Sequence, residues 1–167
     1  MKLYMNIDGY DCCILEPEDW ETYRNLCPHY AHVIDGAFLH DDLSHPDDSH
    51  IVMMKDGAAV GLISVLQTRN SIYIDQVFVV PEHRGQGYSG ILYHAALLLA
   101  ANQTRHRGVT ADAARDNPTA IKALKSSGFV QVHGGAQPPA HDYIRFSFNL
   151  DTLRSPPAPS GPGHSPC

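Results

Sequence analysis

The chain has 167 residues, 43% hydrophobic and 18% charged, which suits one globular domain with a substantial core. Its formal net charge of −6 argues against nucleic acid or an anionic membrane as partner, because no basic field exists to release counterions. Cys12, Cys13, Cys27 and Cys167 show no Cys-x-x-Cys spacing, so neither a zinc pattern nor a disulfide framework is expected. No apolar leader or run of membrane-spanning length is present, and a reduced, cytoplasmic setting is the expectation.

Residues 1–15 hold two short apolar clusters around Gly9, and the second, 12–15, reads as a first strand. Pro17-Glu18-Asp19-Trp20 has the form of a helix start, with proline in the first turn and acids beside the positive helix end. Residues 30–39 read as a second short helix. Residues 40–50 carry His40, His45 and His50 with Asp41, Asp42, Asp47 and Asp48, and read as a solvated loop. A metal site there is the weaker reading, because no helical spacing fixes a ligand geometry. Residues 51–54, 58–67 and 71–80 then read as three strands of an antiparallel meander, turned at Asp56-Gly57 and at 68–70.

The stretch 71–102 predicts strand, glycine turn and helix. Ile72, Tyr73, Ile74, Val77, Phe78, Val79 and Val80 suit a buried strand, and Pro81 ends its ladder. Gly85, Gly87 and Gly90 permit a sharp turn and close approach to a ligand. Ile91, Ala95 and Leu99, with Leu92 and Ala96 beside them, then mark one helix face. A glycine turn feeding a helix start leaves several N–H groups pointing one way, which suits a phosphate or pyrophosphate. Residues 109–113 read as a strand, and Asn117-Pro118 starts a helix that ends at Gly128. Residues 129–133 and 143–150 read as final strands around a Gly/Pro loop at 134–139. Residues 155–167, with five prolines, are expected to be a disordered tail after a single domain spanning 1–154.

This order of elements resembles that of the GNAT family of acyl-CoA-dependent N-acyltransferases. Arg84-Gly85-Gln86-Gly87-Tyr88-Ser89 is similar to the family's Arg/Gln-x-x-Gly-x-Gly/Ala pyrophosphate loop. Asn117-Pro118-Thr119-Ala120, followed by Gly128-Phe129, is similar to its Asn-x-x-Ala helix running to Gly-Phe. The resemblance implies an α+β, α/β/α-layered fold. Its mixed, mostly antiparallel, splayed sheet would have six to seven strands and about four flanking helices. Acetyl-CoA would be the co-substrate and an amine would attack it directly. The acceptor would be a small cationic amine, a lysine or a protein N-terminus. No metal and no nucleic acid are implied, and a homodimer is compatible.

The resemblance places the pyrophosphate on the amides of 85–90, with Arg84, Gln86, Tyr88 and Ser89 in the same loop. The pantetheine arm would run along Val77, Phe78 and Val79 and meet Asn117, which could equally be only a helix cap. Asp75 is the one carboxylate of the 71–80 strand and the candidate proton acceptor, with Tyr73, Val77 and Val79 as its alternation partners. The sequence departs from the family at Ser89, at His83 and, above all, at Leu124. Leu124 stands where a tyrosine often protonates the leaving thiolate, and leucine has no proton to donate. Tyr88, Tyr93 and Tyr143 are substitutes that spacing does not separate. A thiol pKa of about 8.5 also lets the thiolate leave unassisted. Leu124 also keeps open a non-catalytic acyl-CoA-binding module. Asp41, Asp42, Asp47 and Asp48 would border the acceptor and draw a cationic amine.

Overall fold

The computed structural model describes residues 2–16, 19, 48–67, 72–103, 106–133 and 142–154. The two helices expected between 17 and 39, residues 40–47, the 68–70 turn, the 134–139 loop and the proline-rich tail lie outside them. Eight strands form one sheet: β1 (Lys2–Ile7), β2 (Tyr10–Leu15), β3 (Asp48–Lys55), β4 (Ala58–Gln67), β5 (Ile72–Val79), β6 (Gly108–Ala114), β7 (Val130–Gln131) and β8 (Tyr143–Asn149). Among the described residues the α-helices are α1 (Tyr88–Gln103), α2 (Pro118–Ser126) and the short α3 (Asp151–Arg154). The strand order is β1-β2-β3-β4-β5-β6-β8-β7. Every neighbouring pair is antiparallel except β5 and β6, which are parallel and joined through α1. Among the described residues no helix is long and apolar enough to cross a membrane.

The sheet is mixed and mostly antiparallel, as expected, and has one strand more than the six to seven anticipated. The extra strand is β1. Asp8 and Gly9 both have positive φ (52° and 85°), and Ile7 pairs with Tyr10 across them. That is a two-residue hairpin turn whose twist matches its strands. Asp56 and Gly57 repeat the device between β3 and β4 (φ 51° and 80°). The expected loop at 40–50 also ends early. Residues 48–50 belong to β3, where they pair with Leu66, Val65 and Ser64. His50 is buried and bonds the Ser64 hydroxyl at 2.9 Å, so cross-strand pairing overrides the polar composition of this segment.

The helix α1 is buried on more than the single face its spacing suggested. Leu92, Tyr93, Ala95, Ala96, Leu97, Leu99 and Ala100 are all buried. The reason is its position: it lies on β4 and β5 and is flanked by α2 and α3. A helix covered on several sides is apolar nearly all round. The contact with the sheet is close at Gly61, where a Cβ would lie 2.9 Å from the Phe78 carbonyl oxygen and 3.0 Å from Leu92 Cδ1. Gly61→Ala is therefore expected to lower stability by about 1–3 kcal/mol through overpacking, read as a lower denaturant midpoint at unchanged slope.

Candidate active site

The site begins at a break in the sheet. On β4, Ile63 pairs with Val77, but Val65 pairs with Ile74. Two steps on β4 thus face three on β5, which puts a bulge at Asp75 and Gln76. The bulge resets the alternation. Val77 and Val79 share the α1 face with Ile72, Ile74 and Gly61, and not the face of Tyr73. The expected grouping of Tyr73, Asp75, Val77 and Val79 on one face is therefore wrong, because simple two-residue alternation fails across an inserted residue.

The same bulge marks where β5 and β6 part. They pair only at Ile72–Val109, Tyr73–Thr110 and Ile74–Ala111. The Thr110 hydroxyl adds a bond to the Ile72 carbonyl at 3.3 Å at this closed end. Beyond it the strands separate into a wedge. The Val80 N–H bonds Val60 across β4 at 3.0 Å. By strand alternation Phe78 also faces β4, while Val77 and Val79 turn their peptide groups into the wedge. The Val79 carbonyl accepts from Arg84 Nε at 3.0 Å, so Arg84 braces the loop against the strand end. Its guanidinium lies 5.8 Å from the centre of the Phe78 ring.

The wedge opens onto the glycine loop. Gly85 and Gly87 have φ of +76° and +85°, a backbone that side chains with a Cβ strain to adopt. Turns of alternating hand aim successive N–H groups to one side, and the start of α1 adds its positive end. The turn and cap bonds of the backbone leave the amides of Gly85, Gln86, Gly87, Tyr88 and Ser89 unused. Gly90 differs from expectation. It lies inside the first turn of α1, has no positive φ, and gives its N–H to Gly87 at 2.9 Å. The anion cradle is therefore 85–89.

The β5 side of the wedge and the cradle share one cavity of about 670 Å³. Of the residues singled out in the sequence, Val77, Phe78 and Val79 line it from β5, and Arg84, Gly85 and Gly87 from the loop. Tyr88, Ser89 and Gly90 line it from α1, and Asn117 from the start of α2. Asn117 does two things, because its side chain also accepts from the Ala120 N–H at 3.0 Å as a helix cap. Gln86 does not line the cavity, and its side chain donates to the Glu82 carbonyl at 3.3 Å. Asp75 is exposed at the bulge and also lies off the lining. Sequence reasoning passed over the opposite wall, Thr119, Lys122, Ala123 and Ser126 of α2. Their spacing, i, i+3, i+4 and i+7, marks one helix face.

The tyrosines are sorted by position. Tyr143 is exposed on β8, away from the cavity. Tyr93 lines the cavity, and burial pushes its hydroxyl up to about 12. Tyr88 spends its hydroxyl on Tyr10 and Lys55. Leu124 is buried in the core and offers the cavity nothing.

At the apex of the wedge Asp112, the first residue of β6 beyond the pairing, takes a bidentate bond from Arg145 of β8, both contacts at 2.8 Å. Burial, then the carboxylates of Asp112 and Asp75, push the Tyr73 hydroxyl up to about 12. Both acids therefore stand near Tyr73. Among the described residues no cluster of three or more His, Cys, Asp or Glu could hold a metal.

The model of the acetyltransferase (GNAT) family matches residues 13–129, which span the meander, the loop and α2 through Phe129. The chain belongs to the GNAT acetyltransferase family. Members of this family use acetyl-CoA and transfer acetyl groups to amines. No curated protein sequence matches this GNAT enzyme. Solved structures match its fold. The spermidine N-acetyltransferase of Vibrio cholerae, in complex with CoA and spermine, has a TM-score of 0.62 at 16% identity, covering 87% of this chain and 98% of that one. A dodecameric structure of the same V. cholerae enzyme gives 0.64 at 16% identity, over 86% and 95%. The GNAT domain of S. lividans PAT gives 0.66 at 14% identity, over 84% and 90%.

The Asp112–Arg145 pair is mostly buried, with side chains 11% and 23% exposed. Removing the cation would leave the carboxylate largely dehydrated. Arg145→Met is expected to lower stability by about 2 kcal/mol, less than for full burial because water still reaches the pair. Chemical denaturation of this enzyme measures it.

Proposed function

We propose that this acetyltransferase moves the acetyl group of acetyl-CoA to a primary amine by direct attack, with no acyl-enzyme. The acceptor class is a small cationic amine, with a lysine side chain or protein N-terminus as the same chemistry on a larger molecule. One observation carries this reading. The stretch Val77–Val79 of β5, past its parting from β6, and the cradle residues Gly85, Gly87, Tyr88 and Ser89, whose amides are open, line one cavity.

The residues fit acetyl-CoA part by part. The cradle amides would hold the pyrophosphate, and Lys122 on the facing wall would add a cation. The peptide groups of Val77 and the N–H of Val79 would pair with the amides of the pantetheine arm, as an added strand does. When bound, acetyl-CoA supplies an activated thioester. An N–H of β5 aimed into the wedge would then polarise its carbonyl.

Asp75 would accept the proton of the attacking amine or hold it as a cation. An alkyl amine of pKa about 10.4 is mostly protonated at neutral pH, so a carboxylate beside it has work to do. Tyr93, near 12, would give up its proton uphill to a thiolate of pKa about 8.5 and is a poor acid for it, and a thiolate of that pKa can also leave unassisted. A polyamine fits the net charge of −6, and the V. cholerae neighbour is described with spermine.

Two variants test this with acetyl-CoA and spermine as the probe pair. Gly87→Val should abolish measurable CoA binding in titration calorimetry, because it strains the turn and blocks the cradle. Asp75→Asn should leave CoA binding intact and lower kcat/KM by roughly 10²–10⁴. CoA binding without thiol release across a broad amine panel would reduce the protein to an acyl-CoA-binding module.

A further inference from the structure

Three residues far apart in the chain meet behind the anion cradle. Tyr10 opens β2, Lys55 closes β3 and Tyr88 is the first residue of α1. The Tyr10 hydroxyl and the Lys55 Nζ both donate to the Tyr88 hydroxyl, each at 3.2 Å. The two rings meet edge to face with centroids 5.0 Å apart. Lys55 Nζ lies 5.8 Å from the centre of each ring. The His83 ring lies 5.5 Å from the Tyr88 ring. Tyr88 itself is buried.

Packing alone does not require this chemistry. Any apolar side chain could pin the start of α1 to the sheet, but none could accept from two donors as this phenol does. The Tyr10 bond, then the Lys55 bond, hold the Tyr88 hydroxyl below the ordinary phenol range. The Tyr88 bond raises Lys55 in turn, so Lys55 stays an ammonium. On the other side of the loop, Arg84 bonds Val79 and Gln86 bonds Glu82. The loop between these braces contains two glycines at positive φ, whose ordering costs more backbone entropy than that of other residues. Tyr88 carries one of the open cradle amides at its own backbone. A side chain fixed at its tip therefore fixes the direction of that N–H.

We propose that Tyr10, Lys55 and Tyr88 form a tether that presets the cradle for the pyrophosphate of coenzyme A, with the Lys55 ammonium adding positive potential behind it. They are positioning residues that act through the loop backbone and touch no reacting atom. Ordering the loop before binding lowers the entropy cost at the moment of binding, and a half-buried cation attracts an anion more strongly than one in bulk water. The inference rests on the acyl-CoA reading of the cavity.

Coenzyme A and pantetheine, which lacks the pyrophosphate, separate this role from general support of the fold. Tyr88→Phe keeps the ring and loses the hydroxyl, and Lys55→Met loses the donor and charge. Each should raise the Kd for coenzyme A about fivefold, the effect of losing one such hydrogen bond. The Kd for pantetheine should move less than twofold. A melting temperature for each variant shows that it is folded, and Lys55, partly buried at a strand end, tolerates change if Tyr88→Phe does not fold. Unchanged coenzyme A affinity in both variants would overturn the tether while leaving the acyl-CoA reading intact. Equal weakening of both ligands would overturn it too, since the loss would then be unrelated to the pyrophosphate. If the wild-type protein bound no coenzyme A, the reading of the cavity would fail, and the tether with it.

Discussion

β5 holds β4 along its length but holds β6 over only three residues. The rest of the site depends on this unequal pairing. A strand bonded on both edges has no peptide groups left for a ligand. Parting from β6 after Ile74 turns the peptide groups of Val77 and the N–H of Val79 away from any strand partner, with the Val79 carbonyl bonded to Arg84, and the bulge at Asp75 and Gln76 occurs at the same point. The bulge also changes which side chains meet α1. Val77 and Val79 pack toward the helix, and Asp75 is left exposed beside the opening.

The helix α1 converts that opening into a binding site. It follows β5 closely, so its positive end falls at the mouth of the wedge. Its burial between the sheet, α2 and α3 fixes that end in place. Gly61 brings it close to the sheet by presenting no side chain under Leu92. The loop before it then needs left-handed backbone at Gly85 and Gly87 to turn within a few residues. Arg84, Gln86 and Tyr88 fasten its two sides. A loop so braced has its N–H groups oriented before any anion arrives.

Charge is distributed unevenly around the opening. Asp112 is neutralised by a two-point bond to Arg145 on the neighbouring strand. Asp75 is exposed, and Tyr73 stands near both. Across the cavity the cations Arg84 and Lys122 line the wall. An anionic cofactor and a cationic acceptor would thus meet potentials of opposite sign at the two ends of the wedge.

Local chemistry made much of this legible. Gly-x-Gly before an apolar helix, Asn-Pro before another, and Asp-Gly between alternating strands each act within a few residues, so their sequence is enough to name the turn, the cap and the hairpin. Even β1 was written in that code, since Asp8-Gly9 is the same turn as Asp56-Gly57. The bulge could not be read from β5 alone, because an inserted residue exists only relative to the pairing of Ile63 and Val65 on its partner. Likewise His50 belongs to a strand through its pairing with Ser64. The Asp112–Arg145 pair and the meeting of Tyr10, Lys55 and Tyr88 are long-range contacts with no periodic signature. Short-range pattern therefore named the glycine loop, while the parting of β5 from β6, a relation among three strands, decided where the sheet opens beside it.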